Sequence, residues 1–363
     1  MECRSFEAEF ADWAECHHAI ALANGTLALD LALQGLGIGS ANGGLPSDEV
    51  VVTPRTFLAS VSCVVNAGAR PVFADVDGES GNLTASTIAE VITSATRAVI
   101  PVHLAGWPCD MDPIMDLARE HGMKVIEDCA QAHGALYKGR PVGSIGDVGA
   151  WSFCQDKIMT TGGEGGMVTC QDRDLWARMW SFKDHGKSWE AVYERQHPPG
   201  FRWIHESFGT NWRMLEMQGA IGRLQLKQMP EWVQKRTSHA RKLSETLGQF
   251  PEFIRLPAPP EHVVHAYYRL YAYVSEGGPK AGSRDNIIAS LTEIGAPAFQ
   301  GSCSEIYLEK AFDETGFRPP HRLPIARSLG ESSLAFLTHP SITEREMDQY
   351  CEKISDVLRA ATI

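Results

Sequence analysis

From about residue 20 to residue 170, short runs of apolar and β-branched residues alternate with stretches of helical periodicity. The runs are Val50-Val51-Val52-Thr53, Pro71-Val72-Phe73-Ala74, Ala98-Val99-Ile100-Pro101-Val102, Lys124-Val125-Ile126-Glu127 and Ala150-Trp151-Ser152-Phe153. Their apolar character is continuous, not alternating, so both faces of each strand must be covered. That predicts an α/β fold, a mostly parallel sheet with helices on both faces, whose active site lies at the carboxyl ends of the strands.

The intervening helices carry their own punctuation. Asp112 is the expected N-cap of a helix with Pro113 at its first position, apolar Ile114, Leu117 and Ala118 on one face, and Gly122 closing it. From about residue 214, Met217, Ile221 and Leu224 fall on one helical face before Pro230. A domain boundary is expected near 235, dividing a large domain (1–235) from a smaller α+β domain (236–363). In the latter, Ala266 to Val274 alternates like a half-exposed strand and Ser283 is the expected cap of a helix ending at Gly295. A capping box, Thr343-Glu344-Arg345-Glu346, opens a last helix with Met347, Tyr350, Cys351, Ile354 and Leu358 at core spacing.

Composition narrows the function classes. The chain of 363 residues, 44% hydrophobic and 21% charged, is that of an ordinary globular protein. A net charge of −12 without a basic stretch excludes nucleic acid as the main ligand. No apolar run is long enough to span a bilayer, and MECRSFEAEFADW is too acidic for a signal peptide. Nine scattered cysteines without a CxxC pair point to reduced thiols and a cytoplasmic location.

The candidate chemistry lies on the strand ends. Asp128 follows the run Lys124 to Glu127, and Lys157 follows Ala150 to Phe153, so both side chains are expected at one sheet edge. Alone, they read as an ion pair. Lys157, however, opens the stretch Lys157-Ile158-Met159-Thr160-Thr161-Gly162-Gly163-Glu164-Gly165-Gly166, whose glycines let backbone approach a ligand. It has neither the Walker nor the dinucleotide spacing. Asn24-Gly25-Thr26 precedes a helical run, where free N–H groups suit a phosphate, although an ordinary capped helix has the same look. A phosphate, a ring nitrogen to be kept protonated and an aldehyde for a lysine together describe pyridoxal 5′-phosphate (PLP).

At this point a family resemblance enters. Glu127-Asp128-Cys129-Ala130-Gln131-Ala132-His133-Gly134, with Ser152-Phe153 and Lys157 downstream, resembles the DegT/DnrJ/EryC1/StrS nucleotide-sugar aminotransferases. Asn24-Gly25-Thr26, Pro54 with Thr56-Phe57, Pro101-Val102-His103-Leu104-Ala105-Gly106, His185-Gly186 and Asn211-Trp212-Arg213-Met214 follow in the family's order. The resemblance implies the fold type I aminotransferase architecture and a homodimer. It makes Lys157 the Schiff-base lysine, Asp128 the partner of the ring nitrogen and Gln131 a contact near the ring hydroxyl. Gly25, Thr26 and Ser152 would bind the phosphate, Phe57 would stack on the ring, and Asn211 would reach the neighbouring subunit's phosphate. For Phe57 the competing reading is core packing. His103 and His185 are read mainly as hydrogen-bonded structure, and no metal site is expected.

The implied reaction is transfer of an amino group, from glutamate, to a keto group of a nucleotide-linked sugar. Lys157 would serve as nucleophile and general acid/base. The competing readings are a PLP-dependent dehydratase or lyase on the same fold, disfavoured because relatives of that kind replace the lysine with histidine, and a non-catalytic regulator, disfavoured by intact Lys157, Asp128 and Gln131. The loop from His185 to Trp203, with Lys187, Arg195 and Arg202, and also Arg213, are candidates for the nucleotide's phosphates, against a plain solvated loop. Two departures from the family bear on the rim of the cleft: the chain begins at its Phe6-Glu7 motif, and Ser40 to Ser47 inserts SANGGLPS.

Overall fold

A computed structural model describes residues 1–275 and 284–361. Seven strands form the central sheet: β1 (His18–Leu22), β2 (Glu49–Val52), β3 (Arg70–Phe73), β4 (Thr96–Ile100), β5 (Lys124–Asp128), β6 (Val148–Ser152) and β7 (Gly166–Cys170). Their spatial order is β1-β7-β6-β5-β4-β2-β3. β2 to β6 run parallel to one another, and β7 runs antiparallel to β6 and β1.

Both faces are covered, which is why the strands read as unbroken apolar runs. Val50, Val52, Ala98, Ile100 and Ile126 enter one core with the helix Gly25–Leu36. Val51, Val99 and Val125 enter another with Ile114 and Ala118 of the helix Met111–His121. That helix begins two residues earlier than expected, with Asp110 as N-cap. Asp112 lies inside the first turn, where its carboxylate pairs with Lys138 and Arg140. Gly122 closes the helix in the left-handed region, φ 64°.

The helix Glu216–Leu226 inverts a natural expectation about its apolar stripe. Met217, Ile221 and Leu224 face outward, and the helix instead presents Gly219 and Gly222 to the helix Glu2–Trp13. A Cβ at Gly219 would lie 2.8 Å from the Cys3 nitrogen and one at Gly222 2.7 Å from the Phe6 ring. Close approach of the two helices requires both glycines.

The C-terminal part builds a small antiparallel sheet from Ile254–Arg255, Leu270–Val274 and Ser333–Phe336. Its core takes Leu270, Leu334 and Phe336 together with Met347, Ile354 and Leu358 of the last helix, Glu344–Ala361. The capping box is formed, with Glu346 accepting from the Thr343 backbone at 2.8 Å. Residue 235 falls within a continuous helix, Met229–Leu247. Met229 joins the core beside β6, whereas Ala240, Leu243 and Leu247 join the C-terminal core. The strand expected from Ala266 starts at Leu270; residues 266 to 268 instead bond to Ala105 and Gly106 of the large sheet's edge. Ser283 lies outside the described residues. No helix among the described residues is long and apolar enough to cross a membrane.

The insertion Ser40 to Ser47 is not at the rim of the cleft. It precedes β2 and bonds to Ala67 and Gly68, which precede β3, so it covers the amino ends of the strands. The candidate chemistry lies at the opposite edge.

Candidate active site

Register brings the strand ends together. Asp128 on β5 lies opposite Ala150 of β6, Ser152 at the end of β6 opposite Gly166 of β7, and Gly166 opposite Leu22 at the end of β1. The chain leaving β1 therefore delivers Asn24-Gly25-Thr26 beside Ser152. Asn24 caps the following helix, accepting the Leu27 N–H at 3.0 Å. The first N–H groups of a helix have no partner within it and carry the positive end of its dipole. Gly25 and Ser152 are in contact: a Cβ on Gly25 would sit 2.5 Å from the Ser152 Cβ and 2.9 Å from its Oγ. This concave junction of N–H groups and a hydroxyl is suited to a phosphate.

Lys157 is held in the turn after β6. Phe153 donates its N–H to Gly165 O at 2.8 Å and Gln155 to Gly163 O at 2.9 Å, closing the loop on itself. The glycines serve this packing. Gly165 has φ 159° and its Cβ would fall 1.9 Å from Thr161 Oγ1, while one on Gly166 would fall 2.2 Å from Asn24 O. Lys157 Nζ lies 3.5 Å from Asp156 Oδ2, its side chain only 16% exposed. The ion pair it makes is thus with its neighbour and not with Asp128. Tyr268, from the C-terminal part, donates its hydroxyl to the same Asp156 oxygen at 2.7 Å. Lys157 Nζ is 5.4 Å from the centre of the Tyr268 ring.

Asp128 is buried. Its Oδ2 accepts from Ser60 Oγ at 2.7 Å and its Oδ1 from the Ala130 N–H at 3.1 Å. Burial pushes its carboxyl above the ordinary range, against the Ser60 and Ala130 hydrogen bonds and the charge of Lys157. A buried carboxylate of this kind is completed by a cation, and a protonated ring nitrogen is one. Gln131, also buried, accepts the Ala105 N–H on its oxygen at 2.8 Å, which leaves its NH2 group to donate. Phe57 is 70% exposed, so it is no core residue. It sits one turn before Ser60, on the segment that leads from β2 into the helix Ala59–Asn66.

His103 has a structural role. Its Nδ1 accepts the Cys109 N–H at 3.0 Å, so Nε2 carries the proton and donates to Glu127 at 3.1 Å. Glu127 also accepts N–H groups from Gly143, Ile145 and Gly146. The potential ligand atoms of His103, Glu127 and Cys129 lie within 4.8 Å of one another, but those of the first two are spent on this web.

His185 is exposed at φ 59° in a hairpin-like segment where Lys187 pairs with Asp184 at 2.9 Å and Arg195 with Glu206 at 2.7 Å. Those two cations have carboxylate partners, as in a solvated loop. Asn211 is exposed, its Oδ1 accepting from Arg213 Nε at 2.9 Å. Thr26 and Arg213 flank the same path, since the Ala23 N–H bonds to Trp212 O at 3.0 Å. Reading the sequence missed Ser60, Asp156 and Tyr268. Ser60 had a local signal, standing three residues after Phe57 where a helix begins; Tyr268 had none.

The arrangement fits a molecule with an anionic end, an aromatic nitrogen that bears a proton and a carbon open to an amine. Comparison with known proteins agrees. The model of the DegT/DnrJ/EryC1/StrS aminotransferase family matches residues 1–355. The GDP-perosamine synthase of Caulobacter vibrioides is 36% identical, with 97% of this chain and 89% of that protein covered. The dTDP-3-amino-3,4,6-trideoxy-alpha-D-glucose transaminase of Streptomyces venezuelae is 35% identical over 94% of this chain and 83% of its own. Among solved structures, an aminotransferase from Psychrobacter cryohalolentis superposes with a TM-score of 0.96 at 58% identity, covering 99% of this chain and 92% of that one. With its lysine, buried aspartate and helix-start cradle at one sheet edge, the chain belongs to the DegT/DnrJ/EryC1/StrS aminotransferase family.

Proposed function

We propose that the protein is a PLP-dependent aminotransferase that moves an amino group from glutamate to a keto group of a nucleotide-linked sugar. The observation that carries this reading is the convergence of Lys157, Asp128 and the Gly25–Ser152 junction on one edge of the sheet. Sugar-nucleotide names among relatives such as the GDP-perosamine synthase support the acceptor class.

When bound, PLP supplies an electron sink conjugated to the reacting carbon–nitrogen bond. The chain supplies the rest. Gly25, Thr26 and Ser152 hold the phosphate, with Asn211 of the neighbouring subunit as a further contact. Asp128 would keep a proton on the ring nitrogen, Gln131 would donate near the ring hydroxyl, and Phe57 would pack against the ring. Lys157 would hold the cofactor's aldehyde carbon through Nζ, and as a free amine Nζ would be the group that takes and returns the proton at the reacting carbon.

A homodimer is part of the reading. Met217 and Leu224 are at least 65% exposed on one side of the helix Glu216–Leu226, Leu215 at its N-cap is 60% exposed, and Phe201, Trp203 and Phe208 stand more than 75% exposed nearby in sequence. Apolar side chains in such number seek a partner. Nine free cysteines support a reducing, cytoplasmic setting.

The test is spectroscopic and chemical. Purified protein given PLP should gain a visible absorption band that is lost on adding glutamate, with release of 2-oxoglutarate. Lys157→Ala should not form that band. A Lys157→Ala chain that still forms the band, or a native chain that reacts with no amino donor, would refute the proposal.

A further inference from the structure

The Asp128 carboxylate is the end of a directional hydrogen-bond chain. Ser60 Oγ is 2.7 Å from Asp128 Oδ2 and 2.8 Å from Thr56 Oγ1. An ionised carboxylate only accepts, so the one Ser60 proton goes to Asp128 and Thr56 must donate to Ser60. Thr56, Ser60 and Asp128 are 1%, 2% and 4% exposed, so water cannot substitute for any member.

Thr56 is in turn placed by the C-terminal part of the chain. Its N–H donates to Cys303 O at 3.0 Å, and the Ile306 N–H donates to Pro54 O at 2.9 Å. Between them, the buried Arg55 donates from Nε to Ser304 Oγ at 3.1 Å and from Nη1 to the Tyr273 hydroxyl at 2.8 Å. The 303–306 segment and the 54–56 segment are thus clamped at three points, and Arg55 adds a fourth bond to Tyr273.

We propose that Ser60 is a positioning residue for the reaction: with Thr56 behind it, it holds the Asp128 carboxylate ionised and aimed at the cofactor's ring nitrogen. This rests on the assignment of Asp128 to that nitrogen. The other charged group that acts on Asp128 is Lys157, which favours its ionised form, while His103 spends its Nε2 proton on Glu127 and its Nδ1 lone pair on Cys109. The buried thiols of Cys63, Cys109 and Cys129 are held neutral and supply no charge. Ser60 is the side chain among these that both touches the carboxylate and can orient it.

The experiment compares binding of PLP with binding of deaza-PLP, an analogue whose ring has carbon in place of nitrogen, by equilibrium dialysis. Ser60→Ala should weaken PLP about tenfold, the scale of a hydrogen bond to a charged group, and leave deaza-PLP within twofold of the native value. Thr56→Val should do the same to a smaller extent, and Ser60→Thr, which keeps the hydroxyl, should retain native selectivity. In the loaded enzyme, Ser60→Ala should move the acid limb of the rate profile to higher pH. Equal losses for both ligands in Ser60→Ala, or unchanged PLP affinity, would overturn the proposal. Asp128→Asn is the separate control: if it does not discriminate PLP from deaza-PLP, the assignment of Asp128 itself has failed.

Discussion

The junction between Gly25 and Ser152 can be tested with a single methyl group. In Gly25→Ala the new Cβ would stand 2.5 Å from the Ser152 Cβ and 3.0 Å from its Cα. Carbon atoms in comfortable contact lie about 3.5–4.0 Å apart, so the shortfall is about 1 Å. Ser152 cannot rotate out of the way, because the clash is with its backbone and first side-chain atom. Nor can β6 yield, being paired on both sides with β5 and β7. The start of the helix Gly25–Leu36 must retreat instead.

Overpacking of this kind costs about 1–3 kcal/mol, offset in part by the better helix propensity of alanine, up to about 1 kcal/mol. The net loss of stability is therefore about 1–2 kcal/mol. The cofactor suffers more: N–H groups displaced by about 1 Å lose charge-assisted bonds worth about 1.5–3 kcal/mol, or roughly 10- to 100-fold in PLP affinity. Thermal melts of the cofactor-free chain and equilibrium dialysis with PLP measure the two effects separately. Gly25→Ala combined with Ser152→Gly removes the colliding Cβ and should recover part of the stability without recovering affinity, since the hydroxyl is gone as well. PLP binding by Gly25→Ala within twofold of native would refute the phosphate role of this junction.

Three further predictions follow from the buried charges and the exposed helix face. Burial raises the Asp128 carboxyl, so this group's contribution to stability is present below its unfolded value, about pH 4, and is lost as pH rises through the folded value. The stability difference between the native and Asp128→Asn cofactor-free chains should accordingly move against the native chain as pH rises above about 4, and Asp128→Asn should lower transamination by roughly a hundredfold or more. Glu127→Gln should destabilise by about 3 kcal/mol in denaturant titration, because an amide NH2 replaces an oxygen that accepts from His103 or from the 143–146 backbone; a loss below 1 kcal/mol would show the web to be dispensable. Met217→Glu with Leu224→Glu should yield monomers in analytical ultracentrifugation at micromolar concentration, with little change in the melting temperature of the monomeric fold, since neither side chain is in its core.

What was legible in the sequence and what was not divides along physical lines. β2 to β6 announce themselves because strands buried on both faces have few polar positions; Asp128 ends β5, and Lys157 lies five residues past the end of β6. β1 is short and alanine-rich, and β7 begins inside a glycine run that reads as loop, so neither stands out. Yet β7 is the strand that brings Leu22 across from Ser152 and so makes Gly25 and Ser152 neighbours. The helix Glu216–Leu226 misled in the opposite sense. Its apolar stripe is real, but two glycines make the inward face, and periodicity alone cannot distinguish a core from a surface awaiting a partner.

The chemistry divides in the same way. Residues that must touch a cofactor stand on strand ends and bring a local motif with them. Residues that set the charge of those groups arrive from far away: Ser60 is 68 positions from Asp128, and Tyr268 is 112 positions from Asp156. A single serine or tyrosine leaves no periodic trace, and its partner is chosen only when the chain has folded. The consequence reaches beyond detection. Cys303 and Tyr268 both belong to the C-terminal part, and each bonds to a residue next in line to a proposed catalytic group, Thr56 on the way to Asp128 and Asp156 beside Lys157. Docking of that part on the large sheet therefore aligns the acid and the amine together, so substitutions at this contact should change the site's charge balance before they change its shape.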